Sequence, residues 1–233
     1  MIESRELLEK LGYPSKDLTE LPTSTKRFPD GAQYRIELPS TEGPEALRET
    51  LKEIDRYGLT VHRISQGSGI MLLTDDEIRE MCELTAERGI ELSLFVGPRG
   101  TWDISSGPLT TSGKTQGLRH EGVDQLVYAM EDLKRGAKLG LRGALVADEG
   151  LLLLTKEMKK KGQLPEDFII KVSVQMGAVN PVSVKLMEDL GADTYNVTSA
   201  LTLPKLAAIR QAIDIPIDIY IESPDNFGGF LRY

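Results

Sequence analysis

One cysteine, one tryptophan and two histidines are spread over 233 residues. A lone cysteine, Cys82, cannot close an internal disulfide, hold an iron–sulfur cluster or build a cysteine-type zinc site, and it suits a cytoplasmic chain. Positive charge is also short. The 28 lysines and arginines face 36 acids, a net charge of −8, so no basic surface is offered to a nucleic-acid backbone or an anionic membrane. No run of about 18 apolar residues occurs, and the opening "MIESRELLEKLGY" has no signal-type apolar stretch. The expectation is a cytoplasmic protein with no nucleic-acid or membrane partner. A small-molecule or peptide-like substrate and a homo-oligomeric state stay open.

What the chain does have is alternation. After a polar arm (1–31), strands are expected at 32–40, 59–66, 90–98, 142–150, 167–177, 193–200 and 217–223. Helices fall between them, at 42–58, 74–89, 123–140, 151–161, 180–191 and 202–213, with short connections. Thr74 followed by Glu77 is a capping box, and Gly58 and Gly89 are stop signals. Strands alternating with helices imply a parallel sheet, and the unit length suits a (β/α)8 TIM-type barrel in one domain, 1–233. The chain holds seven strands, so the last β/α unit is expected to be missing from it. The alternatives are closure by the N-terminal arm or a partner, or an open doubly wound sheet. One long segment, 99–122, has no periodicity and much Gly, Ser and Thr. It reads as a lid-like loop.

In a barrel, helices cover the outward face of each strand, so polar residues of an alternating strand point in. By that rule Arg35 and Glu37, Lys171, Ser173 and Gln175, Thr194, Asn196 and Thr198, and Asp218, Tyr220 and Glu222 are inward. The second strand is ambiguous, because Val61, Arg63 and Ser65 alternate with His62, Ile64 and Gln66. Interior charges of both signs must pair with each other, with water or with a ligand.

Residues at the C-terminal strand ends are the functional candidates, since barrel active sites lie there. Glu37 and Glu222 are expected as an acid/base pair, with His62 as a general base or a satisfied core histidine. Glu37, Glu149 and Glu222 offer hard oxygens for a divalent cation, Mg²⁺ or Mn²⁺. The substrate-binding candidates are Arg63, Ser65, Gln175, Asn196 and Thr198, with Arg119 and His120 from the end of the long loop. Lys171 reads as an ion-pair partner before it reads as a Schiff-base lysine. "GPLTTSGKT" (107–115) has one residue too many for a Walker A loop. "QGSG" (66–69) is a tight turn whose N–H groups are able to bind an anion.

The run "VSVQMGAVNPVSVKLMEDLGADTYNVTSALTLPKLAAIRQAIDIPIDIYIESPDNFGG" (172–229) resembles the collagenase-like peptidase family of unassigned catalytic type, the U32 peptidases. The likeness rests on "GAD" before a strand, a following helix and a next strand carrying a glutamate. It implies a barrel-type fold and peptidase or hydrolase chemistry, and some members are implicated in RNA or quinone modification. The family's cysteine-containing signature is absent here, so cluster-binding versions are excluded. Together these readings give a barrel enzyme acting on a small carboxylate-bearing or peptide-like substrate. The alternative is a non-catalytic small-anion-binding barrel or a subunit of a larger assembly.

Overall fold

A computed structural model describes residues 2–100, 103–104, 110–111 and 115–221. Seven strands, β1 (Glu37–Leu38), β2 (Arg63–Gln66), β3 (Glu91–Phe95), β4 (Gly143–Val146), β5 (Ile169–Val172), β6 (Thr194–Asn196) and β7 (Ile217–Asp218), form one sheet in chain order. Every neighbouring pair is parallel. After the arm helix α1 (Ile2–Lys10) come the covering helices α2 (Gly43–Tyr57), α3 (Asp75–Ala86), α4 (Gly122–Lys138), α5 (Glu149–Lys160), α6 (Pro181–Leu190) and α7 (Leu203–Ala212). Among the described residues no helix is long and apolar enough to cross a membrane.

Local chemistry sets the helix ends. The capping box forms, with the Thr74 side chain accepting from the Glu77 N–H and Glu77 returning the bond to the Thr74 N–H. Gly58 closes α2 at φ 60°, a left-handed conformation that glycine adopts without a Cβ clash. The strands are shorter than the alternating pattern suggests. β5 stops at Val172 because the Ser173 hydroxyl accepts from the Gln175 N–H and starts a 3-10 turn.

The outward faces make the core. Ile64, Leu94, Ala144, Ile170, Val172, Tyr195 and Val197 are buried against Leu47 and Leu51 of α2, Ile78 and Met81 of α3, Leu133 of α4, Leu151 and Leu152 of α5, and Ile209 of α7. Ile64 settles the ambiguous strand: it points out, so Arg63 and Ser65 point in and His62 points away from the interior.

Side chains from distant strands touch, which requires a curled sheet. Arg63 of β2 lies 3.0 Å from Asp218 of β7, and Lys171 of β5 lies 2.5 Å from Glu37 of β1. In a flat sheet with strands ~4.8 Å apart, β1 and β5 would be separated by ~19 Å. The N-terminal arm spans the two edge regions of the sheet. The Leu18 N–H donates to the Pro204 carbonyl at the start of α7, and Lys26 donates to the Arg210 and Ile213 carbonyls and pairs with Asp214 at its end. Beyond it, the Ile36 carbonyl accepts from the His62 N–H beside β2.

Candidate active site

Parallel registers place Glu37 beside Arg63, Arg63 beside Glu91, Ser65 beside Ser93, Lys171 beside Thr194 and Asn196 beside Asp218. Eight-stranded barrels of shear 8 climb about one residue per strand, so alternate strands contribute to one layer. Glu37, Ser93, Lys171 and Asp218, from β1, β3, β5 and β7, then share a height inside the barrel. Arg63 and Thr194 enter from below, Ser65 and Asn196 from above.

The contacts follow that layering. Lys171 Nζ lies 2.5 and 2.6 Å from the two Glu37 oxygens and 3.8 Å from Asp218. Arg63 donates to Glu37 at 3.3 Å, to Asp218 at 3.0 Å and to Glu91 at 2.7 Å. The Ser65 hydroxyl donates to Glu37 at 2.6 Å and the Thr194 hydroxyl to Asp218 at 2.7 Å. Burial by itself would raise the Glu37 pKa, but the charges of Lys171 and Arg63 reverse this and hold it below the usual carboxylate range. Burial, with Glu37 and Asp218 nearby, pushes the Tyr220 phenol up, so it stays protonated and a donor at neutral pH. Ser93 is fully buried, and its hydroxyl has no hydrogen-bond partner among the described residues. Barrels usually fill this space with Val, Ile and Leu. Here it holds ions, hydroxyls and an amide.

Several expectations need correcting. Arg35 stays outside, paired with Asp30 at 2.8 Å and stacked 4.2 Å over the Phe28 ring. His62 sits on the outer face, where its Nδ1 accepts from the Ile36 N–H at 3.1 Å, so its ring supports β1 and is not beside Glu37. Gln175 is exposed in the 3-10 turn and does not reach the interior. Glu149 opens α5 at the rim, where both its oxygens take bonds from Arg119, at 2.7 and 2.6 Å. That bidentate pair lowers the Glu149 pKa and raises that of Arg119. With Glu37 held by Lys171 and Glu149 by Arg119, the two carboxylates meet at no common point, and no metal-type cluster forms among the described residues. Glu222 lies outside the described residues, as do Trp102, Lys114, Ser223 and Asp225. Asn196 faces in and donates to the Asp218 carbonyl at 3.1 Å, and half-buried Thr198 follows it.

At the mouth, His120 is bound twice. Its N–H donates to Asp148 at 3.1 Å, and its Nδ1 lies 2.6 Å from the Pro98 carbonyl. A carbonyl only accepts, so Nδ1 carries the proton and Nε2 keeps its lone pair. Burial lowers the His120 pKa against the pull of Asp148, which keeps the ring neutral. Asp148 also caps α5, accepting from the Leu151 N–H at 2.7 Å.

Next to this rim, Asp132 of α4 is buried and accepts from the Gly97 N–H at 3.1 Å. Burial pushes its carboxyl up to about 6, from 3.8. A raised acid binds its proton more tightly when folded, so stability falls as pH rises through this window and the loss is complete above it. Asp132→Asn is expected to be near neutral at about pH 4 and to stabilise by roughly 3 kcal/mol at about pH 8, at 1.36 kcal/mol per pKa unit. Urea unfolding at both pH values checks this; equal effects at the two would contradict it.

Two surface hollows lie away from this region. One of ≈ 370 Å³ is lined by Leu38, Ile54, Tyr57 and Leu59 outside β1, and one of ≈ 310 Å³ lies between α3 and α4. Both lie on the outer, helix-covered side of the sheet and not in its interior, so neither is the candidate site.

The fold and interior define the class, a TIM-type barrel with a polar centre. Residues 120–223, somewhat under half the chain, match the sequence profile of peptidase family U32, and over that C-terminal part the chain resembles the family. Solved structures agree on the fold. A U32 peptidase matches with a TM-score of 0.52 at 17% identity, covering 85% of this chain and 73% of its own. The YdjI aldolase from Escherichia coli matches with 0.54 at 16%, covering 85% and 74%. A 2,3-dimethylmalate lyase matches with 0.50 at 10%, covering 82% and 66%. A comparison with curated proteins gives no match.

Proposed function

We propose that the chain is a hydrolase-type barrel enzyme that takes a small carboxylate-bearing or peptide-like substrate at the C-terminal strand ends. The observation that carries this is the polar interior. A buried ion layer contributes little net stability, and apolar residues of like volume often serve the fold as well or better. Such a layer, topped by Ser65, Asn196 and Tyr220, is best explained by a substrate that uses it. The U32 resemblance supports acyl hydrolysis. In that reaction His120 Nε2 accepts the proton of an attacking water, while the Tyr220 phenol donates to the carbonyl oxygen as negative charge builds there.

The test is a panel of blocked di- and tripeptides, amino-acid amides and small diacids, with and without Mg²⁺ or Mn²⁺, read by mass spectrometry. Tyr220→Phe is expected to slow turnover about 100-fold or more while shifting stability by no more than about 0.5 kcal/mol. Full turnover in Tyr220→Phe removes the phenol from the mechanism. If the native chain consumes no panel member, the hydrolase reading fails.

The second reading, a non-catalytic anion-binding barrel, is favoured by one fact: each oxygen of Glu37 and Asp218 already has a partner. It predicts that carboxylates raise the thermal midpoint without being consumed.

A further inference from the structure

The turn after β2, residues 66–69, is held from behind by buried groups. Gln66 accepts from the Gly69 N–H at 2.9 Å through its side-chain oxygen. Arg99, only 3% exposed, donates to the Gly67 carbonyl at 2.7 Å and the Ser68 carbonyl at 2.8 Å. Its guanidinium is fixed by both Asp103 oxygens, each at 3.0 Å, and by the Phe95 ring at 4.6 Å.

With the carbonyls engaged by Arg99, the amides of the same two residues serve a carboxylate. The Gly67 N–H donates to Glu42 Oε1 at 2.9 Å, and the Ser68 N–H donates to Oε2 at 3.2 Å. The Ser68 hydroxyl donates to Oε2 as well. The arrangement matches a planar two-oxygen group, one donor on one oxygen and two on the other. Glu42 itself is exposed and belongs to a different connection, the one entering α2.

We infer that this turn is a carboxylate-binding seat at the barrel mouth and that Glu42 is its internal occupant, displaced when a ligand carboxylate arrives. The seat lies just beyond Ser65, whose hydroxyl reaches Glu37. The inference rests on the proposed reading only in assigning the ligand as substrate; binding itself is independent of turnover.

The experiment follows the Gly67 and Ser68 amide resonances of the ¹⁵N-labelled full chain during titration with acetate, N-acetylglycine and inorganic phosphate. A tethered competitor weakens apparent affinity by the fraction of time the seat is empty. Glu42→Ala is therefore expected to bind acetate and N-acetylglycine about tenfold tighter than the native chain, with saturable shifts at both amides. Ser68→Ala in that background should lose most of the gain. Should Glu42→Ala fail to fold, Glu42→Gln keeps the shape and is expected to show a smaller gain. Unchanged carboxylate affinity in the folded variant, or phosphate binding tighter than any carboxylate, overturns the inference. Saturable binding with no panel member consumed keeps the seat and sinks only the hydrolase reading.

Discussion

Replacing Lys171 by methionine is expected to destabilise the chain by about 3–5 kcal/mol, the usual cost of leaving a buried charge without its partner. Lys171 is 6% exposed and takes both oxygens of Glu37 while standing 3.8 Å from Asp218. Without it, two carboxylates face one another with Arg63 as the remaining cation. The Glu37 pKa must then rise, because the Lys171 charge that holds it low is gone. Glu37, now held low, supports folding above the normal carboxylate range, and that support is lost as pH falls through its folded pKa. The Lys171→Met protein should therefore lose most stability near neutral pH and less in mild acid, where Glu37 is neutral. Urea unfolding across that range reads the effect directly. A loss under about 1 kcal/mol at neutral pH would mean that the layer is open to water, since exposed pairs contribute at most that much.

The second large effect goes the other way. Replacing Glu37, Arg63, Lys171 and Asp218 together by Leu, Met, Met and Leu removes every charge of the layer at once and leaves only Glu91, which is partly exposed. Concerted apolar replacement of buried ions is often neutral or stabilising by about 1–4 kcal/mol. The quadruple variant is expected to be at least as stable as the native chain and to turn over no substrate. A folded variant with native turnover would show that the ions serve neither binding nor chemistry. A variant unable to fold would show that they specify the barrel itself.

The later strands were legible because their outward faces are uniformly apolar. Ile170 and Val172 in β5, and Tyr195 in β6 with Val197 just after it, alternate with polar partners, and the structure buries these apolar residues under helices. β2 was not legible, since Ile64 is the one clear apolar marker between Arg63 and Ser65. Ser93 was hidden for another reason. In "IELSLFV" it sits among apolar residues, and a continuous apolar run conceals which residue faces the interior. Gln175 was misplaced because alternation was carried through Ser173, whose hydroxyl ends the strand. The pairing of Glu149 with Arg119 was not legible either, because the two lie 30 residues apart in the chain. The turn at 66–69 was recognised as able to hold an anion, but the identity of its occupant, Glu42, is set by the folded geometry.

The claim on which the rest depends is that β1 and β5 present side chains to one enclosed space. A double-mutant cycle on Glu37→Gln and Lys171→Met, read by urea unfolding, measures that directly. Contact across the interior of a curled sheet predicts a coupling of roughly 2 kcal/mol or more, in the range of interacting buried pairs. Independent effects that add to within about 0.5 kcal/mol, as for residues more than about 10 Å apart, would contradict it.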